Sequence, residues 1–92
     1  LLLPPENLTA SASEENGILL AWNEPTPDVN GYKIYRREDI SAPYAFLSET
    51  SETSFQDTNV EIGTTYFYVV STVYETGESS FSNPAQATCE VV

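Results

Sequence analysis

Between Thr65 and Tyr74 the chain carries apolar or small side chains on both parities. Tyr66, Tyr68, Val70 and Thr72 share one, and Phe67, Val69, Ser71 and Val73 share the other. Successive side chains of a strand point to opposite faces, so this run needs cover on both sides. It belongs at the centre of a sheet with something packed outside it. The β-branched and aromatic residues that fill it favour pleated surfaces over helices.

Period 2 recurs along the rest of the chain. Ile18, Leu20 and Trp22 alternate, as do Tyr32 and Ile34 after Gly31, while Phe46-Leu47 and Phe55 mark two shorter runs. No window supports a helix of useful length. The four glycines fall between the apolar runs. Asn16-Gly17 is a strong hairpin signal, because both residues tolerate positive φ. Thr76-Gly77 stands where the last hairpin reverses, and Gly63 precedes the long strand. Pro25 and Pro27 end the Trp22 strand, since proline donates nothing to a ladder. Pro84 marks an edge or a bulge near the last strand. The polar stretch 48–54 reads as a loop. Strands are predicted at 6–13, 17–23, 31–37, 45–49, 53–57, 64–74 and 81–90. Seven short strands with turns between them make an all-β sandwich.

Ninety-two residues suffice for one domain and one core. The lone cysteine, Cys89, forms no internal disulfide, so packing holds the fold. With 3 basic and 14 acidic residues the net charge is −11. Such a chain repels phosphate backbones and anionic membrane surfaces, so neither nucleic acid nor membrane is an expected partner. No apolar run is long enough to span a bilayer. Leu1-Leu2-Leu3 is too short for a signal peptide and lacks a basic flank. Residues 1–5 therefore read as a linker or the tail of a preceding domain, and 6–92 as the domain itself.

Five segments in order resemble the fibronectin type III family. They are Pro4-Pro-Glu-Asn-Leu8, Ile18-Leu-Leu20-Ala-Trp22-Asn-Glu-Pro25, Val29-Asn-Gly31-Tyr32-Lys-Ile34, Val60-Glu-Ile-Gly63-Thr64-Thr-Tyr66 and Gly77-Glu-Ser79-Ser80. The resemblance implies a seven-stranded immunoglobulin-like β-sandwich of fibronectin type III topology. A true immunoglobulin domain fits less well, because its cysteine pair is missing and the tryptophan lies on the second predicted strand. By resemblance Trp22 is the central core residue, with Tyr32, Ile34, Tyr66, Tyr68 and Val70 around it. Tyr66 looks like the tyrosine of a tyrosine corner, its hydroxyl bonded to backbone near residues 60–63. Ile62 stands where the family often has proline, and Arg36 where a second inward tyrosine is common. The phrases Gly-Tyr-Lys-Ile-Tyr-Arg and Gly-Glu-Ser-Ser-Phe-Ser-Asn look like bacterial members. The Arg-Gly-Asp tripeptide of animal fibronectin is absent from the loop before the last strand.

Chemistry-bearing patterns are few. With no histidine, the commonest general base at neutral pH is missing. No serine sits in a nucleophile elbow, and no glycine-rich loop cradles phosphate. Cys89 reads as a small apolar residue near the end of the last strand. No catalytic, metal or cofactor residue is assigned. Asp57-Thr-Asn59-Val-Glu61 has oxygen ligands for calcium without the spacing of an EF-hand, and an aspartate there more often bonds its own turn. Asn7-Leu-Thr9 is a glycosylation sequon. Lys33, Arg36 and Arg37 are expected to pair with acids on adjacent strands. The remaining candidates are outward aromatics: Tyr35 and Phe67 on adjacent strands, and Tyr74 and Phe81 flanking the last hairpin. Such rings stack on sugars, anchor a neighbouring domain or stiffen a sheet.

The expectation is a non-catalytic structural or spacer module of a larger extracellular or cell-surface protein, monomeric when isolated. Its partners are neighbouring domains of the same polypeptide. A glycan- or protein-binding adhesion module is the alternative reading, and an enzyme the remote one.

Overall fold

The computed structural model describes residues 2–13 and 17–89. They form β1 (Glu6–Ser13), β2 (Gly17–Asn23), β3 (Gly31–Arg37), β4 (Ala45–Thr50), β5 (Ser54–Asp57), β6 (Thr65–Tyr74), β7 (Gly77–Glu78) and β8 (Ala85–Thr88), without a helix. One sheet runs β1-β2-β5. The other runs β4-β3-β6, and both β7 and β8 pair with β6. All pairings are antiparallel. Asn16 of the first hairpin lies outside the described residues.

The doubly apolar strand β6 holds the centre of its sheet, between β3 on one side and β7 and β8 on the other. Its even positions enter the interior. Tyr66, Tyr68 and Val70 join Leu8, Ile18, Leu20, Trp22, Tyr32 and Ile34 in one buried cluster between the sheets. Trp22 meets Tyr32 edge to face, with ring centroids 5.3 Å apart. This is the arrangement that opposed ring quadrupoles favour. On the outer parity Val69 and Ser71 are buried as well.

Gly17 has φ +80°, and a Cβ on it would stand 2.1 Å from the Asp57 carbonyl oxygen. Only a residue without a side chain lets β2 pass β5 there.

Eight strands replace the seven expected, because a two-residue strand forms ahead of the predicted strand 81–90, which is itself shorter than expected. Its described part pairs with β6 at 85–88, and the two-residue β7 pairs earlier, opposite Val73 and Tyr74. Between them two serine side chains interrupt the ladder. Ser79 Oγ accepts the Thr72 N–H at 2.9 Å, and Ser82 Oγ accepts the Val70 N–H at 3.0 Å. Hydroxyl oxygens thus take the places of strand carbonyls. Pro84 stands just before β8. The stretch 48–54 is also corrected. Ser48, Glu49 and Thr50 extend β4 opposite Ile34, Lys33 and Tyr32, so the irregular part shrinks to 51–53.

At the sandwich edge Asn83 binds both backbone groups of Leu8: Oδ1 accepts its N–H at 3.0 Å and Nδ2 donates to its C=O at 3.1 Å. This clamp ties β1, in one sheet, to the segment that runs along β6 in the other. Residues 2–5 also pack on the domain. Pro5 is fully buried, and the Leu3 carbonyl accepts from Thr72 Oγ1 (2.6 Å) and Tyr74 Oη (2.7 Å).

Candidate functional site

Two polar constellations flank the core, and the first is structural. Tyr66 is buried, and its hydroxyl oxygen accepts the Glu61 N–H at 2.8 Å. This closes the turn that Gly63 opens. Tyr66→Phe removes the acceptor without emptying the ring site, and is expected to cost about 1–3 kcal/mol in urea unfolding. Glu61 is exposed, which favours the lower end because water can replace the lost partner.

Arg36 is the inward departure from the family pattern. It reaches across the sandwich to Asp57 on β5, Nη1 to Oδ2 at 2.8 Å. It also donates to the Asn59 carbonyl, and its guanidinium lies 4.9 Å from the Tyr66 ring centroid. Burial works against its charge, but the bond and attraction of Asp57 outweigh burial and raise its pKa. The same Oδ2 accepts from Tyr68 Oη at 2.7 Å, and Oδ1 accepts the Asn59 N–H. Burial first, then the bond to Asp57, pushes the Tyr68 phenol far up, so it stays protonated. Asp57 does bond its own turn, but it also organises a buried group the sequence did not announce. Among the described residues no group of three or more acids, cysteines or histidines is placed to hold a metal ion.

The second constellation lies on the outer face of the β4-β3-β6 sheet. The β3–β4 register explains it: Ile34 opposes Ser48 while Tyr35 opposes Phe46, leaving Leu47 as an extra residue. Leu47 packs toward the core, and Phe46 is left 57% exposed. The rings then form a chain. Tyr35 lies 5.9 Å from Phe46 and 4.9 Å from Phe81, and Phe81 lies 5.8 Å from Tyr44. Phe81 is 46% exposed.

The 38–44 loop orients Tyr44. Asp39 Oδ1 accepts from the Ser41 N–H and hydroxyl, and these two bonds, the backbone one first, hold its carboxyl below the usual range. Arg37 Nη1 donates to the Ala42 carbonyl at 2.9 Å, and its guanidinium covers the Tyr44 ring at 4.0 Å. At the other edge Glu78 Oε2 accepts from Tyr35 Oη (2.6 Å) and Ser71 Oγ (2.5 Å), with Lys33 Nζ 3.7 Å from Oε1. The Ser71 bond, then the Tyr35 bond, holds the Glu78 carboxyl below its ordinary value. Burial, then the Glu78 bond, raises the Tyr35 phenol.

The structure therefore unites two of the four aromatic candidates, Tyr35 and Phe81, and adds Phe46, Tyr44 and Glu78. Phe67, partly buried opposite Arg37 and Gln86, stands outside the ring chain. Tyr74 lies at the far end of β6, beside a hollow of about 500 Å³ lined by Leu2, Thr26, Asp28, Asn30, Glu75 and Thr76. The Phe46-Leu47 doublet was the available signal for Phe46, but its parity is ambiguous until the bulge is known. The basic residues depart from expectation too. Lys33 and Arg36 find acids beyond the adjacent strands, and Arg37 stacks on a ring.

Two facing antiparallel sheets with this strand order and a tyrosine corner define an immunoglobulin-like β-sandwich. The family model described as the Fibronectin type III domain matches residues 3–88, and the chain belongs to that family. An amylopullulanase of Thermoanaerobacterium thermosulfurigenes is 34% identical over 92 aligned residues, covering 89% of this chain. The alignment covers 5% of that relative's length. Among solved structures, an Fn3-like protein from Clostridium thermocellum superposes with a TM-score of 0.85 at 30% identity, over 99% of this chain and 96% of that one. A beta-1,2-glucanase from Parabacteroides distasonis gives a TM-score of 0.88 at 26% identity, over 100% of this chain and 13% of that one.

Proposed function

We propose that this domain is a non-catalytic accessory and spacer module of a larger, extracellular glucan-acting enzyme. The observation that carries this reading is the pairing of full-domain similarity with small coverage. Nearly the whole sandwich matches a small part of an amylopullulanase and of a beta-1,2-glucanase.

The geometry suits a spacer. Leu3 is fastened beside Thr72 and Tyr74 at one end of β6, and Cys89 beside Thr64 at the other. The ten residues of β6 span about 33 Å at a strand's rise, along a body 42 Å in its longest dimension. Chain entry and exit at opposite poles set a fixed separation between whatever is attached. The buried polar groups support the fold: Asp57, Tyr68 and Arg36 satisfy one another between the sheets. On this reading the partners are neighbouring domains of the same polypeptide, and the isolated domain is a monomer.

The complete reading frame tests the proposal. It is expected to encode a glycan-acting catalytic domain beside this one. A frame holding this domain alone would contradict the reading.

A further inference from the structure

We infer that the Phe46–Tyr35–Phe81–Tyr44 face is a contact surface for a neutral glucan chain, with Glu78 as its fixed hydrogen-bond acceptor. The inference rests on the reading of the domain as a module of a glucan-acting enzyme, and it names the partner of one face.

The rings supply the apolar half of such a site. A pyranose ring presents a face of C–H groups and a rim of hydroxyls. Exposed rings accept the face, and a nearby anion accepts from the rim. Ring-to-ring steps of 4.9 to 5.9 Å make the surface continuous. The polar half is preorganised. Tyr35 and Ser71 both bind Oε2 of Glu78, which fixes the carboxylate, while Oε1, with Lys33 Nζ 3.7 Å away, keeps a lone pair for a ligand hydroxyl. A fixed partner loses little freedom on binding, which favours affinity for a small contact.

Size and charge select the occupant. Two phenylalanine rings 57% and 46% exposed offer roughly 200 Å² of apolar surface. A stable protein interface takes about 800 Å² from each partner. The two rings alone fall well short of that area, and a second copy of the chain would also bring its own charge of −11. An anionic polymer meets the same repulsion. An uncharged polysaccharide meets none.

The test is a titration of the ¹⁵N-labelled domain with maltoheptaose, joined by native-gel mobility in the presence of pullulan or a linear β-glucan. The expected result is saturable shifts at Tyr35, Phe46, Glu78 and Phe81. Binding should weaken by about tenfold or more in the Phe46→Ala/Phe81→Ala variant, with the thermal midpoint lowered by no more than about 8 °C. Glu78→Gln keeps every ring and is expected to weaken binding as well, so it serves if the double variant unfolds early. No shift with any of these glucans would overturn the inference, as would undiminished binding in both variants. A dimer in sedimentation that the ring variant abolishes, or shifts at these rings caused solely by a neighbouring protein domain, would overturn it in favour of a protein contact. A negative titration beside a reading frame that encodes a glycan-acting domain removes the glucan contact and leaves the spacer reading intact.

Discussion

Trp22→Ala is expected to lower the free energy of unfolding by about 3–5 kcal/mol, the range for truncating a large buried aromatic. Trp22 lies in the central cluster, edge-on to Tyr32. Its removal strips contacts from a layer only two sheets thick, where few side chains are free to close the gap. Domains of this kind hold about 5–15 kcal/mol in total, so the variant stands near the limit of folding at 25 °C. Trp22→Phe is expected to cost clearly less. It keeps a ring in the site, and the indole N–H it removes has no acceptor among the described residues. Urea unfolding followed by circular dichroism measures both, since loss of Trp22 also removes the usual fluorescence probe. Near-equal losses for Ala and Phe would show that the indole edge, and not ring volume, holds the site.

Asp57→Ala is the second large effect, expected at about 3 kcal/mol, the lower end for breaking a buried ion pair. Asp57 is 2% exposed and accepts from Tyr68, Arg36 and the Asn59 backbone. Its loss takes the shared acceptor from the Tyr68 phenol and the Arg36 guanidinium, neighbours on one sheet, and leaves Arg36 only the Asn59 carbonyl. Arg36 retains some solvent access, which limits the cost. Arg36→Met is expected to cost less, because Tyr68 keeps its partner and a methionine side chain can cover the Tyr66 ring on which the guanidinium lies. A double-mutant cycle over Arg36 and Asp57 separates the pair from the rest of the network. If Arg36→Met cost more than Asp57→Ala, the charge on Arg36 and not the shared carboxylate would be the centre of the network.

Much of the sandwich is legible in the sequence because local rules and burial agree there. The first three strands start and stop where glycine, proline and alternating apolar residues say they should. β6 announces its central place through apolar residues on both parities. The misses have a common cause in side-chain hydrogen bonds that reach from one strand to another. Ser79 and Ser82 carry no mark in the sequence, yet their hydroxyls accept N–H groups of β6 and separate β7 from β8. Asp57 looks like a turn residue, yet its second oxygen faces an arginine on the opposite sheet.

The candidate face was half visible for the same reason. Parity alone puts Tyr35 outside. It does not foresee the extra residue at Leu47 that brings Phe46 to Tyr35, nor the loop that turns Tyr44 toward Phe81. Glu78 escaped because its role depends on Ser71 and Tyr35, which arrive from two other strands. Phe67 and Tyr74 were reasonable by alternation, but the rings that touch are chosen by register and by the loops.

The central claim is that the aromatic residues divide into an interior set that holds the sandwich and an outer set left for contact. The most direct measurement is urea unfolding of Trp22→Ala beside Phe46→Ala/Phe81→Ala. The prediction is a loss of about 3–5 kcal/mol for the interior change and within about 1 kcal/mol for the two exposed rings together. Comparable losses from both variants would contradict the division and return the outer rings to the structure of the fold.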